Sequence, residues 1–323
     1  RRAVTALKDT GFKKMHGALY KQKTLEKLFS LVRYILLAGL CFIIIYPFII
    51  KFTSIFMSRE DLADDTVFYL SRNPTLENIK NVIEKTQYWE ALRNTALLSL
   101  MTAVLQTGIC TYIGYGFAHF NFRGKNLVFA LVIFTLLIPP QALSVSYYME
   151  FLEFDIAGLF KLLTGRTAEL TDSAVPHILL SLTGLGFKNG LYIFLMRQFF
   201  AGVPQALSEA AEVDGAGVMT TFFRIILPQA KPMMTTVFLF SFAWQWTDDY
   251  YTPLFFLNTN LLNKVISQAG SISFGGTPVT VGTKFSGILL NTAAILVILP
   301  LLIVFLFAQK KFVQGIESSG IVG

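Results

Sequence analysis

Glu209, Ala210, Ala211, Glu212, Val213, Asp214, Gly215 and, ten residues on, Ile225, Ile226, Leu227, Pro228 bound a short passage set between two long apolar segments. Pro204, just ahead of it, suits the first position of a helix, where its missing N–H would have had no partner anyway. Leu207, Ala210, Ala211 and Val213 then form one small apolar face, and Gly215 suits the left-handed residue that ends a helix. A second short helix is expected over 218–226, stopping before Pro228. The passage reads as a helix, a tight turn and a helix. Ala210 and Ala211 leave it narrow enough for another protein to approach closely; the plainer alternative is a loop folded back on its own bundle.

The flanking sequence fixes the setting. Of 323 residues 54% are apolar and 15% charged, with a mean hydropathy of +0.56, whereas a soluble domain carries roughly 25% charged residues. That excludes a soluble enzyme, a disordered regulator or a fibrous protein, and 2 cysteines leave no disulfide framework. A spanning helix needs about 20 mostly apolar residues, because a rise of about 1.5 Å each must cover roughly 30 Å of hydrocarbon. Residues 34–50, 94–117, 126–149 and 285–309 contain no charged side chain. Residues 174–200 are apolar except for Lys188 and Arg197, and 232–247 form a clean but short run that extends through Asp248 and Asp249. Six spans are expected.

Lys and Arg in short loops set the orientation. Arg1, Arg2, Lys8, Lys13, Lys14, Lys21, Lys23 and Lys27 precede the first span against Asp9 and Glu26, which puts this end inside. Residues 58–90 hold four basic side chains against seven acids, and 148–173 hold Lys161 and Arg166 against five, so both read as outside. Arg123 and Lys125 after the second span, the passage 202–231, and Lys310 with Lys311 fall inside. The net charge of +7 is then an orientation signal, and no aromatic-basic platform accompanies it to suggest nucleic acid.

At this point the residues carry a resemblance. Glu209-Ala210-Ala211, three residues, Gly215, nine residues, Ile225, one residue, Leu227-Pro228 resembles the EAA loop of the permease subunits of binding-protein-dependent ABC importers. Tyr115 to Lys125 resembles the turn after the second span in the maltose-type carbohydrate permeases, with His119 where an Arg often stands. Arg197-Gln198-Phe199-Phe200 is similar to their approach to the loop. Trp244-Gln245-Trp246-Thr247-Asp248-Asp249-Tyr250 is similar to their fifth-span signature, with Thr247 where an Asn is usual. Phe312 to Ile316 resembles the tail of the second permease of a pair.

The resemblance implies an all-α membrane protein of the type I ABC importer permease fold, with six transmembrane helices and a cytoplasmic coupling-helix hairpin between spans 4 and 5. The organisation expected is a basic cytoplasmic segment (1–30), the first span and external loop (31–90), a five-span core (91–309) with the loop at 202–231, and a cytoplasmic tail (310–323). Glu209, Ala210, Ala211, Gly215, Ile225, Leu227 and Pro228 are the positions implied to couple to an ATPase. The implied partners are a second homologous permease, two ATPase subunits, an extracellular solute-binding protein, an oligosaccharide and the bilayer, with no nucleic acid. The location implied is the bacterial cytoplasmic membrane, with both termini cytoplasmic.

Polar groups at membrane depth are costly, about 2.5 to 3.5 kcal/mol for a charge at the centre, and by default face a cavity or a partner. If the fourth span meets the cytoplasm near Phe200, Lys188 lies about 18 Å deep. Gly184, Gly186 and Gly190 surround it, which suits a broken or closely packed helix. Lys188 and Asn189 then either line the solute path or, for Lys188, neutralise an acid on the second permease. Pro139 and Pro140, followed by Gln141, break the third helix, again beside a cavity or a packed kink. Trp244, Trp246, Asp248, Asp249 and Tyr250 combine aromatic faces with carboxylates, as sugar sites do; an aromatic belt with solvated acids is the alternative. Ser273, Gly275 and Gly276 lie in a loop between the last two spans, which in the maltose-type family reaches into the binding protein; a merely flexible loop would look the same.

No GxxxxGK[ST] loop occurs, nor any Ser-His-acid cluster or HExxH sequence. His16, His119 and His177 are too scattered to suggest a metal site, and Cys41 with Cys110 suit packing. The expectation is a transport subunit without a cofactor of its own, ATP and Mg being bound by the partner ATPase. The alternatives are an ion-coupled secondary transporter or channel, or an ABC permease for a non-sugar solute.

Overall fold

The computed structural model describes residues 2–64, 66–67, 69–156, 158–274, 277–278 and 282–320, with side chains for 25–64, 66–67, 69–156, 158–272 and 282–310. The chain divides into two compact units, Arg1–Leu76 and Glu77–Gly323.

In the first unit α1 (Arg2–Ser54) is one helix, and its part Leu25–Ser54 is long and apolar enough to cross a bilayer. It is followed by α2 (Arg59–Ala63), whose first turn is closed by the Ser58 hydroxyl accepting from the Asp61 N–H at 3.1 Å. The buried Asp61 carboxylate accepts from the Ser71 hydroxyl, the Asn73 N–H at 3.1 Å and the Asn73 Nδ2 at 3.3 Å. Arg72 pairs with Asp64 at 2.9 Å. Two of the acids counted above as loop charges therefore fold this loop on itself.

The second unit opens with α3 (Glu77–Lys85) and α4 (Tyr88–His119), a continuous helix of 32 residues with the length and hydropathy of a span. The apolar segment 126–149 is split into α5 (Lys125–Phe134) and α6 (Pro140–Leu152), as Pro139 and Pro140 require. The helix α7 (Leu159–Thr164) leads to the segment 174–200, which is likewise split, into α8 (Val175–Leu182) and α9 (Asn189–Ala201). After them come α10 (Ala206–Val213), α11 (Val218–Thr221), a π turn at Phe222–Ile226 and α12 (Leu227–Gln229). Then α13 (Lys231–Trp246), bent by 75° from the preceding helical stretch, continues into α14 (Tyr251–Phe255) and α15 (Leu262–Ala269). Strands β1 (Ser273–Phe274) and β2 (Thr277–Pro278) pair antiparallel, and α16 (Lys284–Gly320) closes the chain. Among the described residues three uninterrupted helices can cross a membrane, or four with the bent pair counted as one. The other apolar segments are interrupted by the Pro and Gly positions that the sequence marks.

Between helices in lipid there is no hydrophobic force, so close packing and hydrogen bonds hold them. Here α4 is the axis, packed against α8, α9 and α13. Cys110 and Tyr115 of α4 meet Tyr192, Ile193 and Met196 of α9 and Met233 and Val237 of α13, all buried. Gly190 at the start of α9 faces α5; a Cβ there would stand 2.8 Å from the Val132 carbonyl and 2.7 Å from Thr135 Oγ1, so only glycine permits that approach. At the opposite side Pro300 interrupts the hydrogen bonding of α16, because it has no N–H for the Leu296 carbonyl. Tyr88 of α4 donates its hydroxyl to that carbonyl at 2.8 Å, and Trp246 of α13 donates its indole N–H to the next, Val297, at 3.0 Å.

Candidate functional site

Two places stand out. The first is the hairpin 204–230. Its opening helix begins at Ala206 rather than at Pro204, a correction of two residues: Pro204 instead accepts from the Leu207 N–H at 3.2 Å in the preceding turn. The end is closed by the bonds that a left-handed residue allows. Gly215 has φ +79°, its N–H donates to the Glu212 carbonyl at 3.0 Å, and the Ala216 N–H reaches back to the Ala211 carbonyl at 2.9 Å. The second arm does not stop before Pro228. A π turn lets the Leu227 N–H donate to Phe222, and this wider turn carries the helical backbone past the proline to Gln229. The direction changes by 75° between Gln229 and Lys231, where Pro228, Pro232 and the π turn coincide.

The seven expected coupling residues divide by face. Ala211 is buried, and Ile225 and Leu227 pack against the core formed with Phe222 and Ile226. Phe222 lies 4.6 Å from the Tyr115 ring, which also meets Phe200 at 5.5 Å, so the hairpin is clamped onto the ends of α4 and α9. Glu209, Ala210 and Pro228 are exposed. Around them Val213 is 88% exposed, with Met219 at 55% and Phe223 at 57%, so the apolar face expected of the first arm is turned outward except at Ala211. The hairpin is anchored on the bundle and presents Val213, Met219 and Phe223 on an outer surface that also carries Glu209, Glu212 and Asp214.

The second place lies between the two broken helices. The breaks at 135–139 and 183–188 face each other across a cavity of about 510 Å³, lined among others by Leu136, Pro139, Tyr147, Lys188, Asn189 and Tyr251. Lys188 takes φ +65°, a left-handed conformation that costs a residue with a Cβ about 1 to 2 kcal/mol. Its carbonyl receives the Leu191 and Tyr192 N–H groups at 3.0 and 3.2 Å as α9 begins. Its Nζ lies 4.9 Å from the centres of both the Phe187 and Trp244 rings, attractions worth about 0.5 to 2 kcal/mol each. Among the described residues no carboxylate stands within ion-pairing distance of Lys188. Asn189 is 1% exposed; its Nδ2 donates to the Ser181 carbonyl at 3.3 Å while its Oδ1 has no partner in the protein.

Of the other expected path residues, Trp244 and Tyr250 are drawn toward Lys188 through Phe187, whose ring lies 5.7 and 6.1 Å from theirs. Gln141 is exposed on the first turn of α6, and Asp249 is exposed after α13. Trp246 and Asp248 are not brought to the cavity. Trp246 is buried toward α16. Asp248 folds the turn into α14: its carboxylate accepts from the Tyr250, Tyr251 and Thr252 N–H groups at 3.0, 3.2 and 2.7 Å and from the Thr252 hydroxyl at 2.8 Å. His177 of α8 lies 4.0 Å from it, with both side chains buried. Sequence reading missed this pair and also missed Gln106. Gln106 receives the Ser241 hydroxyl and donates to the Phe187 carbonyl at 3.3 Å, so it ties α4 and α13 to the broken segment; a lone Gln within an apolar span is the signal that could have marked it. Gly275 and Gly276 lie outside the described residues, as does the side chain of Ser273.

Residues 110–318 match the family described as binding-protein-dependent transport system inner membrane component. The chain is 29% identical to the maltodextrin transport system permease protein MdxG of Bacillus subtilis (strain 168) over 302 residues, 93% of this chain and 99% of the relative. It is 28% identical to the maltodextrin transport system permease protein MalD of Streptococcus pneumoniae (strain ATCC BAA-255 / R6), covering 92% and 97%. In structure it resembles a chain of a bacterial ABC transporter involved in the import of the acidic polysaccharide alginate, with a TM-score of 0.64 and 20% identity over 88% of this chain and 97% of that one. The fold is therefore that of an ABC importer permease. The matched region runs from the end of α4 through the two broken segments and the hairpin into α16, and the chain belongs to the family of inner membrane components of binding-protein-dependent transport systems.

Proposed function

We propose that this chain forms half of the translocation path of a bacterial importer that takes up an oligosaccharide from an extracellular binding protein, driven by two separate ATPase subunits. The observation that carries this reading is the hairpin: an exposed surface with Val213, Met219 and Phe223, packed through Phe222 and Ile226 onto the helices behind it. Two relatives are named for maltodextrin, and another, AraQ of Bacillus subtilis, for arabinooligosaccharides. In the proposed topology α5 with α6, and α8 with α9, each make one interrupted span, giving six with both termini cytoplasmic and the hairpin inside between spans 4 and 5.

ATP and Mg bind to the partner ATPases, whose closure presses on Glu209, Ala210 and their neighbours; Ala211, Ile225 and Leu227 pass the displacement to the bundle as a rigid-body turn. A second, homologous permease completes the pore. Lys188, Asn189, Trp244 and Tyr250 face the solute, with Gln141 and Asp249 at the margins, and the loop with Ser273, Gly275 and Gly276 meets the binding protein. The test uses the complete transporter in proteoliposomes. Glu209→Lys and Gly215→Asp are expected to abolish ATP-driven uptake and the stimulation of ATPase activity by the binding protein, while the chain still inserts and co-purifies with its permease partner. Wild-type transport by both variants would sink the reading.

A further inference from the structure

The cavity between the broken helices is electropositive by construction. Two helices start at its wall, α6 at Pro139–Pro140 and α9 at Lys188–Asn189, and each runs for 13 residues, enough for a partial positive charge at its first turn. Interrupted helices place such N-termini against anionic groups of a solute. Lys188 adds a full charge at the same wall, and Asp248 of the fifth-span signature is spent on the turn into α14, beside His177. The lining contains no Asp or Glu. Neutral sugar sites rely on carboxylates to accept hydroxyl hydrogen bonds, and this cavity has none. Its aromatic wall is formed by Tyr147 and Tyr251, which pack edge to face with ring centres 5.6 Å apart.

We propose that this cavity is a subsite for an acidic glycosyl unit, a uronate, whose carboxylate is received by Lys188 Nζ and the first turn of α9. Phe187 and Trp244 hold the ammonium group in place by their ring faces, so it is positioned before the solute arrives. The proposal rests on the transport reading above and gives it a substrate class.

The test measures equilibrium binding of trigalacturonate and of maltotriose to the complete transporter in nanodiscs without its binding protein, for wild type, Lys188→Gln and Lys188→Arg. Wild type should prefer trigalacturonate, losing that preference as salt is raised. Lys188→Gln should weaken trigalacturonate binding about ten-fold or more, the scale of one charge-assisted hydrogen bond, leave maltotriose unchanged, and be rescued in part by Lys188→Arg. Equal binding of the two sugars by wild type, no binding of trigalacturonate, or a trigalacturonate affinity unaltered in Lys188→Gln would overturn it. Loss of the second permease from the Lys188→Gln complex would also overturn it, assigning Lys188 to a carboxylate of that subunit. Stimulation of ATPase activity by the binding protein is read on the same samples. If it persists while the sugar preference fails, only the subsite is wrong; if wild type lacks it, the transport reading itself fails.

Discussion

The hairpin and the broken-helix cavity both abandon regular helix, and they do so by opposite means. At the hairpin the left-handed residue is Gly215, every bond of the turn is made within the backbone, and apolar side chains are turned outward. At the cavity Lys188 takes the left-handed conformation alongside Gly184, polar side chains join the wall, and one buried acceptor beside it has no partner. The first arrangement suits a part that must move as one piece. The second holds strain and unspent hydrogen-bonding capacity, which is where a ligand can be received.

The comparison breaks most sharply at Gly190. Gly190→Val should drive α9 away from α5, closing or deforming the cavity while sparing the hairpin. Overpacking against backbone costs about 3 kcal/mol, and the midpoint of thermal unfolding in detergent should fall by several degrees; an unchanged midpoint would mean the two helices are free to separate. A smaller effect is expected at Lys188: Lys188→Gly and Lys188→Ala both lose the ring contacts, and the glycine variant, relieved of the left-handed strain, should be the more stable of the two by about 1 kcal/mol, seen as the higher midpoint. The smallest effect belongs to neither region.

Asp172, in the loop before α8, has φ +55° and accepts from Asn258 Nδ2 at 2.7 Å, the Asn258 N–H at 3.1 Å and Thr259. The hydrogen bond from the Asn258 side chain, foremost, holds its pKa below the ordinary 3.8. A depressed carboxylate stabilises the fold above its unfolded value and loses that contribution as pH falls through the folded one. Protection of this loop from an acid-active protease should therefore be constant down to about pH 4 and fall below it. In Asp172→Asn that pH dependence should vanish.

What could be read from sequence was what depends on near neighbours along the chain. The turn at Gly215, the break at Pro139–Pro140 and the interruption around Lys188 each follow from the backbone limits of one or two residues. Contacts between distant positions could not be read this way: nothing in the spacing of His177 and Asp248, 71 residues apart, or of Gln106 and Ser241, 135 apart, announces that they touch. Trp244 and Trp246 are a different lesson. Their sequence proximity suggests one aromatic cluster, yet two residues along a helix are turned by about 200°, so one ring reaches Lys188 and the other is buried toward α16. Helical phase, applied residue by residue, would have separated them.

The outward face of the hairpin also bears on how the subunit survives before it is assembled. In the proposed topology Val213, Met219 and Phe223, exposed on the hairpin, form an apolar patch in water until a partner covers them, the kind of surface that chaperones bind and proteases act on. The surface proposed to transmit force would then double as a timer on the unassembled chain, and the amount of subunit a cell keeps would follow the supply of the protein that covers it.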